Sequence, residues 1–491
     1  MDKFYITTPI YYVTDKPHLG HAFTTVYADV LARFWRQKVR DVFFLTGTDE
    51  HGSKIAEKAE KEGKSPQKLV DDIAKHYENT WKKLNIAHDE FIRTTSEKHE
   101  KGVAEFFKKL NPRDIYKGDY EGLYCIECER SYTEKELVNG LCPDHLIPPQ
   151  RIKEKNYFFN LKKYLPIIRK KVEDDEIKIL PPSRKKEVLN IIDSDLPDFS
   201  VSREKVKWGI PYPGDNSQTI YVWVEALMNY VTALDFPSGK NFKKFWPADI
   251  HLIGADISKF HSIFWPALLI SADLPLPKNI FVHGFFTVNG QKMSKTIGNV
   301  IDQVTLVEKF GSDATRYLLL SQFPATEHGD IKVDDFAGKY NSDLANGVGN
   351  IAERILAMLL NTANFRYDVS TKNIDPKIRK LAEDVQSKYD ENFENYNLFE
   401  ALRIVFAFVK ELDRYINEKE PWRLSKKGVG FEAEAEGAII LNSLFFGIER
   451  IVGWLQPFMP LKAREAQAYI EKIKKQKITK DGKLNLFPRL K

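Results

Sequence analysis

The N-terminal strand–turn–helix pattern constrains this chain more than any other stretch. "KFYITTPIYY" (Lys3 to Tyr12) is a β-branched and aromatic run of strand length, and "AFTTVYADVLARFWR" carries apolar residues at helical spacing. Only a short turn, ending in "HLGH", separates them. The alternation repeats in "DVFFLTGT" followed by "SPQKLVDDIAKHYENTWKKL", and strand-like runs return in "DIHLIGADI" and "KNIFVHGFFTVNG". Strands alternating with helices imply an α/β fold, here a Rossmann-type doubly wound parallel sheet with crossover helices.

The texture changes twice. From about residue 116 the chain becomes turn-rich and cysteine-bearing, as an insertion would, and from about 340 amphipathic helix dominates. The expected partition is a sheet domain over 1–115 and 221–285, an insertion over 116–220, a connecting region over 286–345 and an all-α bundle over 346–491. No run of roughly 18 apolar residues is evident, so no membrane span is expected. The start "MDKFYITT" has no basic-then-apolar leader, which points to a cytoplasmic protein. Three cysteines in 491 residues exclude a disulfide framework. The net charge of +5 says little, but residues 461–491 hold ten Lys/Arg against three Asp/Glu. Such a run is a solvated face or a nucleic-acid contact.

"CIEC" (Cys125, Cys128) and "CPDH" (Cys142, His145) use every cysteine in the chain. Two such pairs on turns can close a tetrahedral Cys₃His zinc site, structural because no ligand position stays open; the alternatives are free buried thiols or redox chemistry. Two further segments suit phosphate. His18 and His21 bracket Gly20 at a strand-to-helix turn, where unpaired N–H groups favour anions. Gly20 permits close backbone approach. "VNGQKMSKTIGNV" places Lys292 and Lys295 in a Gly-flanked loop able to clamp a polyphosphate. Alone, the histidine pair reads more simply as a metal site or two surface side chains, and the lysine loop as solvation; the two together, one after the first strand and one after the last, are a rarer coincidence.

With these residues in view, the chain resembles the class I aminoacyl-tRNA synthetases, and within them the methionyl-tRNA synthetase family. "TTPIYYVTDKPHLGH", "LTGTDEHG", "YVWVEALMNY", "GADISKFHSIFWPALL" and "KMSKTIGN" occur in the family's order. Thr296 and Leu19 depart from the commonest form but keep the hydroxyl and the apolar character. The resemblance implies methionine activation by ATP, with Mg²⁺, and transfer of methionyl to the 3′ end of tRNA(Met) for protein synthesis, including initiation. His18, His21, Lys292 and Lys295 are then the catalytic residues and, with Gly20, the ATP site. The attacking carboxylate is already ionised at neutral pH, so positioning and charge neutralisation carry the rate. Asp49 would hold the substrate ammonium with Arg203 nearby, and His51 would be structural or a helper. Ile10, Tyr12, Trp223, Ala226, Leu227, Tyr230, Ile257 and His261 would line the methionine pocket, where apolar walls and a weak donor suit a thioether.

The insertion becomes the zinc-knuckle connective module, 286–345 the KMSKT loop and stem-contact region, and the bundle an anticodon-binding domain. In that bundle Asn350 and Arg354 would read base edges and Trp422 would stack on a base. The basic tail would touch tRNA backbone. The chain ends before the extra C-terminal module some relatives carry, so a monomer is expected, with a separate tRNA-binding partner subunit left open. Rival readings are a catalytically dead homologue, a nucleotidylyltransferase and a cysteinyl enzyme. The first lacks support because the motifs are intact, the second has no long helical bundle, and the third would place zinc in the active site.

Overall fold

The computed structural model describes residues 3–490 apart from 39–40, 133, 144, 195, 289, 291–300, 362–372, 425–430 and 476–483. The chain divides into two compact units, Met1–Lys82 with Ile86–Phe285 and Lys83–Asn85 with Phe286–Lys491.

The first unit is built on six strands: β1 (Lys3–Tyr12), β2 (Asp41–Asp49), β3 (Glu90–Arg93), β4 (Lys178–Leu180), β5 (Ile250–Gly254) and β6 (Asn279–His283). All pair in parallel, in the order 3-2-1-5-6-4. The expected doubly wound sheet is therefore present. Strand order reverses between β1 and β5, and such a switch point leaves a crevice beyond the carboxyl ends of the strands. β4 comes from inside the range that reads as insertion. Its three residues carry no strand signal of their own; pairing to β6 at Ile280↔Ile179 makes them a strand.

β1 carries an irregularity that matters for the site. Register against β2 shifts between Thr7 and Ile10, around Pro9, which has no N–H to give a ladder. Beyond the shift Ile10 lies opposite Gly47 and Tyr12 opposite Asp49. Gly47 is obligatory there: a Cβ would sit 2.1 Å from the Ile92 carbonyl oxygen. Tyr5, Leu45, Ile253, Val282 and Trp265 share one buried cluster. Each such side chain contributes about 1.5–3 kcal/mol through burial.

A four-stranded antiparallel sheet grows from the same unit. Ile115–Cys125 pairs with Gln150–Phe159 over ten residues, flanked by Arg130–Tyr132 and Phe199–Ser200. The cysteine turn closes the end of this ribbon.

The second unit is mostly helical, with helices Asn350–Asn361, Pro376–Glu394, Leu398–Lys419, Phe431–Leu455 and Pro460–Lys474. Helices 398–419 and 431–455 approach closely at Gly447, where a Cβ would lie 2.7 Å from a Leu412 methyl. Ala435–Leu455 corrects one expectation. With a mean hydropathy of 1.5 it is long and apolar enough to span a membrane, although 67% of that stretch is buried inside the protein. Its apolar side packs against several other helices of the bundle, while Glu436 and Arg450 stay exposed. The C-terminal residues fold back: Tyr340 O–H donates to the Pro488 carbonyl at 3.1 Å, and Leu490 N–H to Asn341 Oδ1 at 2.9 Å.

Candidate active site

His18 is the N-cap of helix Leu19–Gln37, directly beyond the carboxyl end of β1. Its Nδ1 accepts from Gly20 N–H at 3.0 Å, while His18 N–H donates to His21 Nδ1 at 3.2 Å. The two rings stack with centroids 3.7 Å apart. A backbone N–H can only donate, so both Nδ1 atoms are lone-pair acceptors and each neutral ring carries its proton on Nε2. Burial pushes His18 down to about 4. Burial, and then the neighbouring His18, push His21 well below its ordinary value. The pair is therefore two neutral Nε2–H donors with fixed tautomers at a helix N-terminus. Gly20 contributes its N–H to this arrangement, with negative φ. Lys292 and Lys295 lie outside the described residues.

Asp49 ends β2 and is 7% exposed. Among the described residues its Oδ1 has no hydrogen-bond partner. Burial raises its pKa well above the carboxylate range, and Glu225, Glu129 and Glu50 add to the effect. A buried oxygen of this kind costs free energy until a cation meets it. Arg203 is equally buried. It grips Glu154 through Nε and Nη2 at 2.8 and 3.1 Å and stacks 4.1 Å from the Tyr124 ring. Its Nη1 has no partner among the described residues.

The residues that the resemblance assigns to the methionine pocket lie in or against one apolar cluster. Leu227 and Tyr230 are buried in one cluster with Ile10, Trp223 and Ile257 packed against it, and Ala226 is buried on the same short helix, Val222–Leu227. His261 lies in a π-helical turn, Phe260–Phe264, of the kind found at functional sites. Its Nδ1–H donates to the Ile257 carbonyl at 3.0 Å, so its Nε2 accepts from the Tyr230 hydroxyl at 2.7 Å. The tyrosine proton is thus committed to His261 and the His261 proton to the Ile257 carbonyl. Tyr12 lies opposite Asp49 in the β1–β2 register.

Two groups here were not legible in the sequence. Glu225, fully buried, accepts from His51 Nδ1 and from His99 Nε2, both at 2.8 Å. This fastens the helix bearing Trp223 to the turn after Asp49, and it gives His51 the supporting role expected of it. Burial alone would lower the His51 pKa, but Glu225 overrides it and raises it. The second is Glu129, 2% exposed, whose carboxylate meets Tyr12 and Tyr124.

Cys125, Cys128, Cys142 and His145 bring one ligand atom each to within 4.8 Å of one another. Cys128 Sγ–Cys142 Sγ is 3.9 Å and Cys142 Sγ–His145 Nδ1 is 3.8 Å. A tetrahedral ion with metal–sulfur bonds of about 2.3 Å sets its ligands about 3.8 Å apart, so the cluster fits a metal. The Tyr132 hydroxyl lies 3.3 and 3.4 Å from the Cys128 and Cys142 sulfurs, as a group orienting thiolates would.

In the helical unit, Asn350 and Arg354 start one helix, a turn apart, after a π-helical segment (Tyr340–Gly349). Asn350 is exposed. Arg354 bonds Asp413 and, at 2.9 Å, Asn417 Oδ1 on the neighbouring helix. Trp422 follows Pro421 at the helix break and is 44% exposed.

A doubly wound parallel sheet with a histidine pair at the start of the helix after its first strand, followed by a helical bundle, is the architecture of a class I tRNA synthetase. The profile described as tRNA synthetases class I (M) matches residues 4–151 and 147–356, and that for the anticodon-binding domain of tRNA ligase matches 375–487. The chain belongs to the methionyl-tRNA synthetase family. It is 41% identical over 471 residues to a methionine–tRNA ligase of Thermotoga maritima, covering 94% of this chain and 74% of the relative. A Clostridium acetobutylicum methionine–tRNA ligase is 43% identical over 464 residues, covering 93% and 72%. Mycobacterium tuberculosis methionyl-tRNA synthetase in complex with methionyl-adenylate superposes with a TM-score of 0.93 at 32% identity over 100% of both chains.

Proposed function

We propose that this chain is a methionine–tRNA ligase. A methionine carboxylate oxygen attacks the α-phosphorus of ATP, the bond to the β-phosphate oxygen breaks, and pyrophosphate leaves. A ribose hydroxyl at the 3′ end of tRNA(Met) then attacks the methionyl carbonyl and AMP leaves. The product serves protein synthesis, including initiation.

The observation that carries this reading is Asp49 Oδ1, a buried carboxylate oxygen without a partner among the described residues, on a strand pair whose Ile10 packs against the apolar cluster of Leu227 and Tyr230. A ligand with an ammonium group and an uncharged side chain satisfies both. Ile10, Tyr12, Trp223, Ala226, Leu227, Tyr230, Ile257 and His261 form the methionine pocket, and Arg203 balances the charge around Asp49. His18 and His21 offer Nε2–H donors to the phosphates, with Gly20 at the helix start. Lys292 and Lys295 are assigned to the same polyphosphate, and Mg²⁺ accompanies the ATP. One preorganised donor of this kind supplies about 2.7–4 kcal/mol of transition-state stabilisation.

Cys125, Cys128, Cys142 and His145 hold one Zn²⁺, a structural crosslink closing the connective module. Residues 346–491 form the anticodon-binding domain, with Trp422 as stacking platform and Asn350 and Arg354 reading base edges. The chain acts as a cytoplasmic monomer. Pyrophosphate exchange assayed with each of the twenty amino acids tests the reaction. Methionine is expected to support it; leucine or cysteine doing so while methionine does not would overturn the assignment.

A further inference from the structure

We infer that Glu129 is a positioning residue of the amino-acid site, a role resting on the methionine-site reading above. It holds Tyr12 and the turn after Asp49 through its acceptor oxygens.

The residue follows Cys128 directly and has a positive φ of 51°, so the cysteine turn aims its side chain back toward the sheet. There Oε1 accepts from Lys54 N–H at 2.8 Å and from the Tyr12 hydroxyl at 3.3 Å, and Oε2 accepts from the Tyr124 hydroxyl. Lys54 N–H is one of the unpaired donors opening helix Ser53–Lys61, whose N-cap is Gly52 and carries no capping side chain. Glu129 supplies the missing cap from 75 residues away. Gly52 shows how tightly the pieces meet. Its φ is +111°, and a Cβ there would lie 2.7 Å from the Tyr12 hydroxyl and 2.8 Å from Glu129 Oε1.

The geometry joins three parts of the site. Tyr12 and Asp49 are register partners on β1 and β2. The Asp49–Gly52 turn leads straight into the capped helix. Asp49 has one oxygen without a partner among the described residues, so its aim depends on the turn that carries it. Fastening the cysteine turn does not need the Glu129 side chain. Backbone carbonyls already do that, accepting from Tyr221 O–H at 2.5 Å (Glu129) and from Trp223 Nε1–H at 3.1 Å (Cys128). A buried carboxylate is costly to retain, and here its oxygens are spent on Tyr12, Tyr124 and the helix start.

The test uses the full, metal-loaded chain, with metal content measured in every variant. Glu129→Ala is expected to raise the methionine KM in pyrophosphate exchange at least tenfold, with the ATP KM within twofold. Glu129→Gln, which keeps an acceptor oxygen, is expected to stay within threefold of the parent. Gly52→Ala displaces the same carboxylate and serves if Glu129→Ala does not fold; it too should raise the methionine KM selectively. An unmoved methionine KM in the variant that folds, a parallel rise in both KM values, or a Gln variant as impaired as Ala overturns the inference. A parent without methionine-dependent exchange sinks the reaction assignment and the inference with it. A methionine-dependent parent with an unmoved variant sinks the inference alone.

Discussion

The proposed amino-acid site of the first unit and the proposed anticodon face of the second keep their polar groups in opposite states. Asp49 and Arg203 are 7% and 6% exposed, and each has one polar atom without a partner among the described residues. Trp422 is 44% exposed, and Arg354 is held by Asp413 and Asn417. A small zwitterion offers little area, so its affinity has to come from desolvated charge that the free protein leaves unmet. A base in a splayed loop offers a flat face, and an exposed ring suffices to stack on it. The first strategy concentrates free energy in a few atoms; the second spreads it. Substitutions should therefore cost more at the sheet than in the bundle.

The largest loss is expected for Asp49→Ala. Removing one partner of a buried charge pair costs about 2–5 kcal/mol, which is roughly thirtyfold to several thousandfold in methionine affinity. Equilibrium binding of methionine checks this, and an unchanged Kd would place the ammonium elsewhere. Next comes His21→Ala, with a loss of about 10² in kcat for adenylate formation. Methionine Kd should stay put, because the role proposed for the Nε2–H donors is toward phosphate rather than amino acid. Equal losses in both quantities would contradict a role in the transition state.

How far the sequence carried these assignments depended on whether the signal was local. The strand β1, the helix capped by His18 and the C-x-x-C and C-x-x-H turns are each read from one short run of consecutive residues, the longest being the 19 of that helix, so pattern and spacing sufficed. Lys178–Leu180 could not be seen because a strand of three residues is defined by its partner β6, 101 residues on. Glu225 reads as one more residue of an apolar helix until His51 and His99 meet it from two other elements. Glu129 was hidden for the same reason: nothing in "CIECER" reveals that the following turn throws the carboxylate onto Tyr12. The histidine tautomers were equally illegible, since they follow from backbone N–H directions rather than residue type.

On the bundle side, Trp422→Ala should raise the KM for tRNA by about 1–3 kcal/mol, the worth of one stacked base. Methionine-dependent pyrophosphate exchange without tRNA should not change. A loss in that exchange would tie Trp422 to the amino-acid site and break the contrast between the two regions.

The smallest effect sharpens the contrast from the sheet side. Burial and the carboxylates of Glu225, Glu129 and Glu50 raise the Asp49 pKa in the free protein. A bound ammonium favours the ionised form and lowers it. Between the two values methionine binding must therefore release a proton, so affinity rises with pH through that window and levels off above the free-state pKa. Titration calorimetry in two buffers of unlike ionisation enthalpy measures the release. The expected value is a fraction of a proton, up to one, in the parent and none in Asp49→Asn. Trp422→Ala should release as much as the parent, because its ring titrates nothing and stands outside the charge-bearing turn. A parent that releases no proton across the window would mean that Asp49 is already ionised before methionine arrives, and the unmet charge would then have to be balanced by another cation.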